Sequence, residues 1–158
     1  MLGTKIQFSR IIKITFITLI AIIINCQSGI SQRFNSLVGV KLGYQTAGVS
    51  AKIALDEKNY LDGYIGVVTP QPDYTVGPSI SYHRHFALNE SKDFQFYVGA
   101  GGKGVIGDQS GLGVGVDIGL IYIYKNISLG LDLNPSYFFN EVLDFRPLYG
   151  INLRWVND

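Results

Sequence analysis

Two groups of side chains in this sequence have types and spacings that could support acid–base chemistry. His83 and His85 are the only histidines, and in an extended segment both lie on the same face as Ser81. Asp117 and Asp132 form the second group. A histidine beside a serine and an acid can activate a nucleophile, and two close carboxylates either bind a shared lysine or disturb each other's ionisation. Both possibilities depend on the elements that position these side chains.

The segment Gly111–Tyr124, which reads GLGVGVDIGLIYIY, alternates between large apolar residues and small or polar ones. A period of two predicts a β-strand, because successive side chains leave opposite faces. The segment is about twice as long as a common strand of a soluble protein. One wholly apolar face opposite a face of glycine and aspartate is typical of a strand with lipid outside and a polar lumen inside.

Seven other segments show the same alternation, which predicts eight strands in all. Two-residue hairpins are predicted at Lys125-Asn126 and at Ala47-Gly48, since both turns keep matching faces opposite each other. The pattern predicts an all-β fold, an eight-stranded antiparallel up-and-down transmembrane β-barrel over residues 32–158. The seven additional strands are predicted over residues 36–46, 49–56, 60–69, 74–86, 93–101, 126–139 and 147–156.

The N-terminal segment has the composition of an export signal. Basic residues precede the apolar run Ile14–Ile24, and Gly29 and Ser31 are small residues placed before a cleavage site. Residues 1–31 are therefore predicted to be a cleaved signal peptide. An alternative is a lipoprotein signal with an acylated Cys26, which is the only cysteine.

The overall composition argues against several classes of function. The formal net charge of +1 gives no indication of a nucleic-acid partner. One cysteine and two histidines do not form a metal-ligand pattern, so neither a metal nor another cofactor is predicted. We expect a monomer.

The predicted inner face carries charges of both signs in a narrow space. An eight-stranded barrel is just wide enough for its own side chains to fill it, and buried charges persist when they are paired. A structural network of ion pairs is therefore predicted inside the barrel, formed by Lys41, Lys52, Asp62, Asp117, Asp132 and Arg154.

Aromatic residues on the predicted outer face fall into two belts, as expected at the two interfaces of a membrane. The outer belt is predicted to contain Tyr44, Tyr74, Tyr137, Phe139 and Tyr149. The inner belt is predicted to contain Tyr82, Phe86, Phe94, Phe96, Tyr122, Tyr124 and Trp155.

The export signal, the alternating strands and the final strand, with Tyr149, Ile151, Leu153 and Trp155 on one face, resemble small bacterial outer-membrane β-barrel domains. The OmpX-like, OmpA-like and PorT-like groups are the most similar in pattern. This resemblance implies a Gram-negative outer membrane, contact with its lipids, and a barrel-assembly machinery that reads the aromatic end of the last strand. The chain departs from that pattern because three residues follow Trp155.

These observations favour a non-enzymatic outer-membrane barrel with a side-chain-filled lumen and a structural or interaction role. One alternative is a soluble or lipid-anchored lipocalin-like barrel that binds a small apolar ligand. A less favoured alternative is an enzyme that modifies membrane lipid through His83 or His85. Both histidines are predicted to face the lumen, whereas an acyl chain would lie outside the barrel.

Overall fold

The computed structural model describes residues 34–44, 46–68, 75–107, 110–139 and 145–157, and these residues form a closed barrel. Each strand pairs antiparallel with the next, and the last strand pairs with the first, which confirms the predicted eight-stranded up-and-down fold. The strands are β1 (Ser36–Gly43), β2 (Thr46–Ala54), β3 (Asn59–Val68), β4 (Thr75–Ala87), β5 (Phe94–Val105), β6 (Gly111–Tyr124), β7 (Ile127–Phe138) and β8 (Phe145–Asn157).

The predicted signal peptide and Cys26 lie outside the described residues. Cleavage after residue 31 therefore remains a prediction from sequence. No helix within the described ranges is long and apolar enough to span a membrane, a result that concerns helices alone.

One predicted hairpin is confirmed and the other is wrong. Tyr124 pairs with Ile127, so Lys125 and Asn126 form the two-residue turn between β6 and β7. The Ala47-Gly48 turn does not exist, because Ala47 and Gly48 already lie within β2, which begins by pairing Thr46 with Gly43. Both registers of β1 against β2 keep the apolar residues on one face, so alternation alone could not distinguish them.

Strand ends differ from the prediction by a few residues. The largest difference is in β5, which continues to Val105 rather than ending at residue 101. This extension reads GKGV and has little apolar character, but its backbone pairs with β6, where Gly104 faces Leu112. The extra length moves Lys103 from a predicted loop onto the inner face of the barrel.

The barrel has two distinct ends. The terminal end carries Ser36 and Asn157, which pair with each other, together with the connections 55–58, 88–93 and 125–126. The loop end lies opposite and carries the connections 44–45, 69–74, 106–110 and 139–144.

The connection between β2 and β3 is closed by Asp56. Its Oδ1 accepts hydrogen bonds from the backbone amides of Lys58 and Asn59, each 2.9 Å long, and its Oδ2 accepts one of 2.7 Å from the Asn59 side chain. The Asn59 side-chain hydrogen bond, with the backbone bond from Lys58, holds the pKa of Asp56 below its ordinary value. Such a side-chain-to-backbone turn favours a tight connection.

Burial alternates along the strands as the sequence predicts. On β7 the residues Ser128, Gly130, Asp132 and Asn134 are buried, while the intervening leucines are exposed. The core therefore lies inside the barrel. At the terminal end it is apolar, and we call this cluster the terminal plug; it consists of Phe34, Leu37, Tyr60, Tyr97, Ile121, Ile123 and Val156.

Candidate functional site

The inner face holds all six charged residues that the sequence singled out. Five of them are buried, and Lys41 is partly buried. They come from six different strands, because each projects from an inward position of the alternation. The contacts divide among three carboxylates, which belong to Asp62, Asp117 and Asp132.

Asp117 has three partners from other strands. Its Oδ1 accepts hydrogen bonds of 2.7 Å from both Lys103 Nζ and Asn134 Nδ2. Its Oδ2 lies 3.0 Å from His83 Nε2. A buried carboxylate is tolerated when its oxygens are satisfied in this way.

Asp132 has a separate set of partners. Its Oδ2 lies 2.8 Å from Lys41 Nζ and also accepts from the Asn152 amide, while Tyr97 donates its hydroxyl proton to Oδ1. Asp117 and Asp132 therefore each bind a different lysine. The alternative in which the two share one lysine is wrong, because Lys103 approaches from β5 and Lys41 from β1 on the other side.

Asp62 is the third centre of charge. Arg154 Nη2 lies 3.0 Å from Asp62 Oδ2, and Lys52 Nζ lies 3.4 Å from the same oxygen. Arg154 also donates from Nε to Ser50 Oγ over 2.9 Å, and Lys52 sits 4.0 Å from the centre of the Tyr97 ring. The arginine thereby joins β8 to β2 and β3 across the lumen.

Both histidines belong to this network. His83 lies between two carboxylates, with Nε2 toward Asp117 at 3.0 Å and Nδ1 toward Asp62 at 3.8 Å. His85 Nε2 lies 3.2 Å from Lys52 Nζ, and its Nδ1 lies 2.8 Å from Gln95 Oε1. Because both ring nitrogens of His83 are directed at acids, neither is directed at a serine hydroxyl, as a nucleophilic pair would require.

Sequence reasoning missed Lys103, Gln95 and Tyr97 as members of the site. All three occupy inward positions of β5, the odd-numbered residues from 95 to 103. The alternation that places Phe94 and Phe96 outward would have found Gln95 and Tyr97. Lys103 required the correct end of the strand.

Glycines on the inner wall make room for the large side chains of this network. A Cβ at Gly99 would collide with the His83 ring, and one at Gly119 would lie 2.5 Å from the Tyr97 hydroxyl oxygen. A Cβ at Gly115 would lie 2.8 Å from Lys103 Cε. Residues of this small size on the inner face therefore fix where the rings and the lysine lie.

At the loop end the lumen widens into a pocket of about 600 Å³, a volume that includes its open mouth. We call it the loop-end pocket. Residues around it include Lys41, Tyr64, Lys103, Val105, Phe138 and Arg146. The described residues contain no group of three or more histidines, cysteines and acids placed to hold a metal ion.

The predicted belt residues that the structure describes lie on the outer face or at its rim, and Tyr74 lies outside the described residues. At the loop end, Tyr44 stacks on Tyr149 with ring centres 5.5 Å apart, and Tyr137 meets Phe139 edge-on at 6.1 Å. Phe145, exposed at the same end, was not predicted. The terminal end carries Tyr82, Phe86, Phe94, Phe96, Tyr122, Tyr124 and Trp155.

Comparison with solved structures identifies a close match in architecture. The crystal structure of the N-terminal β-barrel domain of Pseudomonas aeruginosa OprF superposes with a TM-score of 0.60 at 18% sequence identity. The match covers 78% of this chain and 98% of that domain. This chain has the fold of that barrel domain.

The match supports, at the level of fold, the resemblance to OmpA-like barrel domains that the strand pattern predicted. No protein-family model matches the sequence, and a search of curated proteins finds no match.

Proposed function

We propose that this chain is a small barrel of the Gram-negative outer membrane with a structural or interaction role and no enzymatic activity. The observation that carries the proposal is an inverted distribution of polarity. Charged side chains are paired inside, and large apolar side chains are exposed on every strand of the barrel. Examples, one from each strand in order, are Val38, Ile53, Ile65, Ile80, Phe94, Leu112, Leu131 and Ile151.

This apolar surface is too extensive for a soluble monomer. Leu112 is 72% exposed, and Leu42 and Leu131 are 61% and 57% exposed on other strands. Soluble monomers rarely expose continuous apolar patches larger than a few hundred Å². A hydrocarbon environment removes the cost of this exposure, and a closed barrel satisfies its backbone hydrogen bonds without water.

The interior favours a filled lumen over a ligand cavity of the lipocalin type. A cavity for an apolar ligand requires apolar walls, whereas the middle of this barrel contains Lys52, Asp62, Asp117 and Arg154 in contact with their partners. The buried terminal plug below this layer supports a lumen that is closed at that end. We therefore propose that the six predicted charged residues, with Lys103 and His83, are a structural network that holds the strands together.

The same proposal assigns orientation and partners. The terminal end faces the periplasm, because periplasmic turns are short and extracellular loops are longer. The two-residue Lys125-Asn126 turn then lies on the periplasmic side, and the connections 69–74 and 139–144 lie on the extracellular side. The chain is a monomer, and its two aromatic belts contact lipid headgroups. The exposed Trp155 on β8 supports recognition by a barrel-assembly machinery, as the family resemblance implies.

Membrane fractionation combined with gel mobility tests the proposal. We expect the processed chain in the outer-membrane fraction, extracted only by detergent, and migrating differently on gels before and after heating. Heat-modified mobility reports a closed barrel, and fractionation reports its environment. A monomer that is freely soluble in detergent-free buffer would contradict the membrane assignment and revive the lipocalin-like alternative.

A further inference from the structure

The loop-end pocket has a composition that the structural network does not explain. Its described wall includes Lys41, Lys103 and Arg146 but no aspartate or glutamate. The carboxylates that pair with the two lysines lie beneath them. The Asp117 and Asp132 side chains are each 2% exposed, whereas those of Lys41 and Lys103 are 16% and 11% exposed. The cations, rather than the acids, therefore face the open space.

Both lysines retain hydrogen-bonding capacity toward this space. An ammonium group has three N–H donors. Lys41 contacts Asp132 and Asn134, each at 2.8 Å, and Lys103 contacts Asp117 at 2.7 Å and Ser81 at 3.4 Å. Each ammonium thus uses two donors within the network and keeps one for a further acceptor.

The described charges on the inner wall also leave a positive excess in the lumen as a whole. Even without Arg146, the four cations Lys41, Lys52, Lys103 and Arg154 exceed the three aspartates by one. An anion placed among them would balance that charge in a partly enclosed site, where electrostatic attraction is stronger than in water.

The pocket wall also has an apolar part, beside the polar residues Thr46, Ser79 and Asn134. Val105 and Phe138 form a small buried cluster, and Pro78 and Leu148 extend the apolar surface. The enclosed part of the pocket has a volume of about 60 Å³, which limits the ligand to a small molecule. Because the terminal plug closes the lumen at the opposite end, a molecule that enters this pocket has no described path through the barrel.

We propose that the loop-end pocket binds a small organic oxyanion, a carboxylate or phosphate attached to a short apolar body. Lys41 and Lys103 donate to the oxyanion, and the wall at Val105 and Phe138 contacts the apolar body. Arg146 is a further cation in the pocket wall. This binding site does not depend on the membrane assignment, so a failed fractionation experiment would leave it standing.

Amide NMR titration of the full chain in zwitterionic detergent tests the proposal. Benzoate and phenyl phosphate are the two anionic probes, and benzamide is the neutral probe of similar shape. We expect both anions to shift the amide signal of Gly104, which lines the pocket, with dissociation constants on the order of 1 mM. The signal of Gly130, which is not a lining residue, should change little. Benzamide should bind about tenfold more weakly.

Variants separate the pocket from general charge effects. The double variant Lys103→Gln, Asp117→Asn removes a cation without leaving a bare buried carboxylate, and we expect about tenfold weaker binding of both anions. Arg146→Gln is an independent second variant, which serves if the double variant does not fold. Lys125→Gln makes the same charge change as Arg146→Gln, but at the terminal end, and should leave binding unchanged.

Three outcomes would overturn the proposal. The first is equal binding of benzamide and benzoate. The second is an equal effect of Lys125→Gln and the pocket variants. The third is the absence of any Gly104 shift at probe concentrations of about 10 mM, well above the expected constant. Binding of phenyl phosphate alone would support the site and restrict its ligands to phosphates.

Discussion

The Tyr97 side chain on β5 lies against the backbone of Gly119 on β6, so that a Cβ at residue 119 would come within 2.5 Å of the tyrosine hydroxyl oxygen. Tyr97 and Gly119 are direct partners in the ladder between the two strands. The glycine lets the ring lie across the wall and reach Asp132, to which the hydroxyl donates. A small residue on one strand therefore positions a large one on its neighbour.

Gly119→Ala should destabilise the barrel by about 1–3 kcal/mol, because the new methyl group overlaps Tyr97 and the carbonyl of Leu131. Urea unfolding in lipid vesicles, followed by the fluorescence of Trp155, measures the change. Gly102→Ala is the matched control, since no atom lies within 4 Å of a Cβ at that position. Equal losses for both variants would contradict this role of Gly119.

Leu131→Arg should reduce stability in a bilayer by roughly 2–4 kcal/mol, the cost of a cation on the lipid face near the membrane centre. Leu131 is 57% exposed in the middle of β7. The matched control is Leu88→Arg, which alters a leucine that is 53% exposed in the connection after β4. There the cost should be about 0–1 kcal/mol. The same vesicle unfolding assay applies, and an unchanged midpoint for Leu131→Arg would refute the assignment of the outer face to lipid.

Asp117→Ala should cost about 3–5 kcal/mol, because it removes the carboxylate that pairs with Lys103 and leaves a partly buried cation without its counter-charge. Asn134 and His83 lose the same partner. Asp56→Ala should cause a much smaller loss, since that aspartate lies in an exposed turn. Chemical unfolding of both variants compares the two sites. A stable Asp117→Ala barrel would show that the network does not hold the strands together.

The double variant Leu37→Ala, Ile123→Ala should open the terminal plug and create a measurable conductance in planar bilayers. Both side chains are 0–1% exposed in the apolar cluster at the terminal end. Val105→Ala with Phe138→Ala removes a similar apolar volume at the loop end. That control should not conduct, because the plug remains. A steady, porin-sized conductance of the unmodified chain would contradict a closed lumen.

Much of the architecture was predictable because one physical rule, the two-residue alternation of a half-apolar strand, governs the barrel. The bounds of β6 and its hairpin at Lys125-Asn126 follow from that rule alone. The rule fails where two registers preserve the same faces, as at Thr46, and where a strand continues through glycine and lysine, as at Lys103.

The inward direction of the charged residues was predictable, but their pairing was not. His83 meets Asp117 across β5, and Arg154 meets Asp62 across β1 and β2. Such contacts depend on closure of the sheet and on the stagger between strands, which no local pattern encodes. Glycines such as Gly99 and Gly119 then decide how far each ring can extend along the wall.

The pairing of β1 with β8 joins Ser36 to Asn157, almost the full described length of the chain. This seam carries the highest entropic cost of any contact in the fold, because all the intervening strands must be gathered before it forms. Until β8 pairs with both β7 and β1, the sheet has two unpaired edges, and each edge is a template for association with another chain. Closure of the barrel therefore depends on β8, and a chain truncated before Phe145 would lose closure altogether rather than form a smaller barrel.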